Sequence, residues 1–113
     1  MNLMAIDNIE SIHNEATRAA EEAASKFFQE KLGGRDQYAC GFAWVTVFEK
    51  ASTKLGRRLK DVGFRRAYGG GLQLWNPSHF PCQNVDTLEE GARAYAAVFK
   101  KYGIEAYAGS RLD

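Results

Sequence analysis

Two stretches forty residues apart echo each other, and this echo constrains the fold more than any other feature of the chain. Lys60-Asp61-Val62-Gly63-Phe64-Arg65-Arg66-Ala67-Tyr68-Gly69 parallels Lys100-Lys101-Tyr102-Gly103-Ile104-Glu105-Ala106-Tyr107-Ala108-Gly109. Each reads as a helix end, a glycine that takes the left-handed C-cap conformation cheaply, an apolar residue and a short strand. A strand–helix–strand unit used twice is the split β-α-β arrangement. The expectation is an α+β fold: a long N-terminal helix packed on a ferredoxin-like, βαββαβ antiparallel sheet with strand order 4-1-3-2. The 113 residues have room for one domain, with the helix in residues 1–34 and the sheet core in 41–113.

Hydrophobic spacing places the elements. Ile6, Ile9, Ala16, Ala20, Ala23 and Phe27 recur at three- and four-residue intervals and predict a helix over about 6–32, closed by Gly33-Gly34. Asp7 with Glu10 resembles a capping box at its start. His13 sits near the polar boundary of this helix and reads as solvated. The alanine-rich stripe allows close approach to another surface. Phe42-Ala43-Trp44-Val45-Thr46-Val47-Phe48 is apolar on both alternating faces, the pattern of a strand covered on two sides. The N-terminal helix is the candidate for the second cover.

Ser52 is expected to cap a helix to Val62, with Leu55, Leu59 and Val62 facing inward. Phe64 to Tyr68 and Leu72 to Asn76 read as a hairpin turning at Gly69-Gly70-Gly71. Those glycines beside Arg65 and Arg66 could also hold a phosphate, but the Gly-Lys-Ser/Thr ending of a P-loop is missing. Asp86 with Glu89 predicts the start of a last helix through Tyr102, and Ile104 to Ala108 the last strand.

Composition excludes several classes. Hydrophobic residues are 45% and charged residues 26%, ordinary globular usage. The longest apolar run, Ala39 to Phe48, is far short of a membrane span. Met1 to Asp7 lacks the basic and apolar regions of a signal peptide, so a soluble cytoplasmic protein with no membrane partner is expected. Cys40 and Cys82 are too few for a disulfide framework and read as buried thiols. A net charge of +1 does not favour a strongly electrostatic nucleic-acid binder. Charge is nonetheless uneven: residues 1–31 carry a net −3 and residues 50–66 a net +6. The acidic helix could neutralise the basic stretch, within one chain or across a homodimer.

Three places could carry function. The proposed strand order gathers Tyr38, Trp75, Asn76, Ser78, His79, Gln83, Asn84 and Arg111 at one end of the sheet, beside the irregular loop 76–85. Such a long loop on a rigid sheet suits a protein or small-ligand contact, nucleotides included. The bland alternative is a structural lid, with Phe80 and Trp75 buried under it. Arg57, Arg58, Lys60, Arg65 and Arg66, with Phe64, Tyr68 and Trp75 near, suggest a single-stranded nucleic-acid surface. If the long helix covers that sheet face, the aromatic platform is lost. Cys40, His79 and Cys82 have no standard metal spacing, and neither a cofactor motif nor a catalytic constellation is read.

The stretches Lys26 to Gly34 and Tyr38 to Val45, with Asn84-Val85-Asp86-Thr87 and Gly109 to Asp113, resemble small uncharacterised proteins of tailed bacteriophages. The resemblance implies a small phage accessory protein, of a kind that engages a host or defence protein in the host cytoplasm. Without a catalytic constellation it is expected to be non-enzymatic, and the alanine-rich helix fits a monomer or homodimer. It transfers no site residue.

Overall fold

A computed structural model describes residues 3–113; Met1 and Asn2, part of the segment read for a targeting signal, lie outside them. The elements run α1 (Leu3–Asp7), α2 (Ile9–Leu32), β1 (Gly41–Val47), α3 (Lys54–Asp61), β2 (Arg65–Arg66), β3 (Leu72–Trp75), α4 (Val85–Lys101) and β4 (Tyr107–Leu112). The strands form one antiparallel sheet in the order β2-β3-β1-β4, so the fold is α+β. Among the described residues no helix is long and apolar enough to cross a membrane.

The forty-residue echo is written in hydrogen bonds. At the end of α3, the amides of Val62, Gly63 and Phe64 donate to the carbonyls of Leu59, Lys60 and Leu59 at 3.2, 3.1 and 3.0 Å. At the end of α4, Tyr102, Gly103 and Ile104 donate to Phe99, Lys100 and Phe99 at 3.1, 2.9 and 3.0 Å. Gly63 and Gly103 take φ of +114° and +82°, values that a side chain would strain. Each junction then drives the next residue, Phe64 or Ile104, fully into the core.

Beyond the junctions the two units diverge from expectation. The ladder of β2 holds only Arg65 and Arg66, because the chain turns back at once, with Ala67 donating to Gly71. The last strand starts at Tyr107 rather than Ile104. Ile104 and Ala106 are buried in the core, and only then does the chain reach the edge of β1, pairing Tyr107 with Thr46.

Caps also shift. Thr53, not Ser52, caps α3: its hydroxyl accepts from the Gly56 amide at 3.0 Å. Asn84, not Asp86, caps α4, accepting from the Thr87 amide at 2.8 Å. Asp86 instead lies exposed in the first turn, where its charge suits the helix dipole. The N-terminal helix is interrupted at Asn8, and Asp7 closes α1 with its carboxylate 2.9 Å from Lys54.

The larger correction concerns the second cover. α3 and α4 pack on the face of the sheet formed by Ala43, Val45, Val47, Leu72 and Leu74, and α2 lies along α4 instead of crossing to the other face. Its small residues permit this contact. Ala16, Ala20 and Ala24 are buried without exposure, and the Ala20 carbonyl comes within 3.4 Å of where a Cβ on Gly91 would stand. Two helices with alanine and glycine at the seam can approach closely, so the stripe finds its partner in α4. Among the described residues no helix packs on the opposite face of the sheet.

Candidate functional site

Strand register decides what that open face displays. Side chains alternate across a strand, so Phe42, Trp44, Thr46 and Phe48 share one face. Trp44 stands opposite both Trp75 and Gly109, Thr46 opposite Gln73 and Tyr107, Phe42 opposite Arg111, and Gln73 opposite Arg65. The rings form one patch. Trp44 and Trp75 lie 4.9 Å apart between centroids at an angle of 31°, and Phe42 sits 6.0 Å from Trp75. The Arg111 guanidinium is 5.4 Å from the Phe42 ring and 5.8 Å from the Trp75 ring, within cation–π range. Phe48 and Tyr107 make a second pair at 5.8 Å.

These rings are not core. Trp75 is 46% exposed, Phe42 38% and Phe48 69%, while Trp44 between them is partly buried. Exposed aromatic surface of this kind makes the face the candidate site. Gly109 makes room for it: a Cβ there would come within 2.7 Å of the Trp44 indole nitrogen. Between the two ring clusters lies a polar bridge, where Gln73 Nε2 donates to Thr46 Oγ1 at 3.3 Å and Trp75 Nε1 donates to Gln73 Oε1 at 3.1 Å. Arg111 stands at the tryptophan half and Arg65 in the row of Gln73, Thr46 and Tyr107, while Glu49 and Glu105 lie beside Phe48 and Tyr107 and the Lys100 ammonium is 5.6 Å from the Tyr107 ring.

The predicted loop-end residues divide. Trp75 and Arg111 belong to the open face. Tyr38 is 74% exposed with φ +66°, and His79 is exposed with φ +55°. The others hold the loop. Asn76 donates to the Phe80 carbonyl and accepts from Ser78, whose hydroxyl also accepts from the Phe80 amide. Ser78 is buried over Gly91. Asp36 accepts from the amides of both Gln83 and Asn84, at 2.8 and 3.0 Å. Phe80 packs on Phe28 at 5.1 Å, as a lid residue would, whereas Trp75 lies outside the lid.

The basic stretch divides as well. Arg57, Arg58 and Lys60 are exposed on α3, on the helical side of the molecule. Arg57 donates to the Ser52 carbonyl, and Arg58 lies in a polar cleft with Asp7, Glu10, His13 and Asp61. Part of the acidic helix therefore does face the basic stretch within one chain. Arg65 stands on the open-face side of β2, and Arg66, opposite Leu72, on the other.

Cys40 is exposed, not buried, and donates weakly to Gln83 Oε1 at 3.5 Å. Partial burial pushes the Cys82 thiol up, away from thiolate. Among the described residues no three His, Cys, Asp or Glu side chains gather as a metal site.

His13 is half-buried and hydrogen-bonded through Nδ1 to the Tyr95 hydroxyl at 2.7 Å, not simply solvated. Burial lowers its pKa and the charge of His79 adds to this, while Glu10 opposes. A lowered folded pKa means that the unfolded chain takes up the proton first. The stability due to neutral His13 is thus fully present above about pH 6.5 and is lost as pH falls through the folded pKa. Urea unfolding from pH 7.5 to 5 should show this decline, and His13→Gln should flatten it. An unchanged slope in the variant would assign it to other groups.

No protein-family model, curated protein or solved structure matches the chain.

Proposed function

We propose that this chain is a non-enzymatic binding protein that holds single-stranded nucleic acid on the open face of its sheet. The observation that carries the reading is the set of rings on β1 and β3 on a face without a helix: Phe42, Trp44 and Trp75, with Arg111 over two of them. Every base has a π-face, so exposed aromatic rings on a rigid sheet make a sequence-tolerant stacking surface. Single-stranded bases are splayed and available to such a surface, whereas duplex bases are not. At the rings Arg111 supplies a cation that backbone phosphates need, and Arg65, whose guanidinium also donates to the Phe64 carbonyl at 3.0 Å, supplies a second towards the sheet edge.

The same reading takes the core as a split β-α-β, ferredoxin-like sheet. The order β4-β1-β3-β2, two strand–helix–strand units and helices on one face support it. In that arrangement the two central strands carry the stacking rings. The surface therefore moves from the 50–66 stretch to the sheet, and Arg57, Arg58 and Lys60 fall outside it. The phage resemblance sets this activity in the cytoplasm of an infected host. Tryptophan and arginine are also common anchors of protein interfaces. A host or defence protein is the competing occupant.

Titration of tryptophan fluorescence with single-stranded and duplex oligonucleotides tests the reading. Single strands should quench and duplexes of equal length should not. With two arginines engaging phosphates, the logarithm of affinity should fall with that of salt at a slope of roughly −1.4. Failure to bind single strands at low salt, with a purified host protein binding in a Trp75-dependent way, would hand the face to a protein partner.

A further inference from the structure

The open face holds a polar pair whose geometry goes beyond stacking. Gln73 lies on β3 between the two ring clusters, opposite Thr46 and two residues from Trp75. Its amide is fixed at both ends, with Nε2 donating to Thr46 Oγ1 at 3.3 Å and Oε1 accepting from Trp75 Nε1 at 3.1 Å. The indole is a donor only, so it fixes which end of the amide is oxygen. Thr46 is 7% exposed, so the partner that orients Gln73 is itself held in place.

The hydrogen-bond inventory of an amide is two N–H donors and two oxygen lone pairs. One of each is engaged within the protein. One donor and one acceptor remain on a partly buried side chain beside the stacking rings. A base stacked on Trp75 brings its edge over this pair. We infer that Gln73 reads the Hoogsteen edge of that base and gives the face a preference for adenine, an inference that rests on the single-strand reading above.

The choice of adenine follows from donor–acceptor matching. On the Hoogsteen edge adenine alone offers an N–H donor beside an acceptor, and glutamine binds it there in two bonds. The Hoogsteen edge of guanine carries two acceptors and leaves the glutamine oxygen unmatched. Both purines stack through similar areas, so the hydrogen bonds are what separate them. Pyrimidines offer a smaller ring to Trp75.

The test uses the full chain and thymine oligonucleotides with a single central adenine, guanine or cytosine, titrated at low salt. Central adenine should bind roughly tenfold tighter than central guanine, the low end of what a two-bond base contact discriminates. Gln73→Met keeps the length of the side chain without its hydrogen bonds and should erase the difference between adenine and guanine. Equal affinity for adenine and guanine in the unmodified chain, with both bound, overturns the inference and leaves the single-strand reading standing. A preference that survives Gln73→Met, in a variant whose thermal midpoint is retained, also overturns it. Failure to bind any oligonucleotide removes the single-strand reading itself.

Discussion

Replacing Asn84 with alanine will lower the unfolding free energy by about 2–4 kcal/mol, combining a lost helix cap with a buried donor left unmet. Asn84 is 1% exposed. Its Oδ1 accepts from the Thr87 amide at 2.8 Å and from the Thr87 hydroxyl at 2.9 Å, and its Nδ2 donates to the Gln37 carbonyl at 2.9 Å. Thr87 is fully buried, so water cannot take the place of the missing acceptor. One side chain thus starts α4 and fastens the chain ahead of β1 to it. Asn84→Asp separates the two jobs. It keeps the cap oxygens but loses the donor to Gln37 and places a second carboxylate near Asp36. Urea unfolding should therefore show both variants destabilised. A loss below about 0.5 kcal/mol for Asn84→Ala, the size of an ordinary surface change, would remove Asn84 from this role.

The same residue shows what the sequence does and does not disclose. From the chain alone Asn84 counts as a polar loop residue near a candidate site, because Asp86-x-x-Glu89 looks like the stronger helix start. The structure prefers the earlier cap, since starting at Val85 lets that side chain and Leu88 reach the core. Local signals that need no partner were legible: the Gly63 and Gly103 junctions, the strand Phe42 to Val47 within its apolar run, and the small-residue stripe of α2. What depends on a choice between partners was not. An alanine stripe fits a sheet or a helix equally well, and nothing in the stripe itself chooses α4; Gly91 is needed chiefly to seat Ser78, whose Cβ a side chain there would meet at 2.8 Å. Once α2 is committed there, the second apolar face of β1 changes meaning, from core to exposed surface. Gln73 and Gly109 carried no signal because their roles exist only through cross-strand register with Thr46 and Trp44.

That change of meaning makes the tryptophans separable from the fold. Trp44→Ala combined with Trp75→Ala should weaken single-strand binding by at least about thirtyfold, given stacking contributions of about 1–3 kcal/mol per base and tenfold per 1.4 kcal/mol. The protein should stay folded. The rings' mutual contact at 4.9 Å is a pairing of about 0.5–1.5 kcal/mol, Trp75 is already 46% exposed, and Trp44 is only partly buried. Phe64 is the counter-example on the other side of the sheet. It is fully buried, with Tyr95 at 6.2 Å and Phe99 at 6.0 Å, and Phe64→Ala should cost about 3–5 kcal/mol by leaving a cavity. The contrast distinguishes a binding surface from a second core. If the double tryptophan variant unfolds as readily as Phe64→Ala, the open face is structural. If it keeps its thermal midpoint and its oligonucleotide affinity together, the face is neither core nor stacking surface, and the single-strand assignment fails. Retained stability with lost affinity is the outcome expected of rings that the helices leave uncovered.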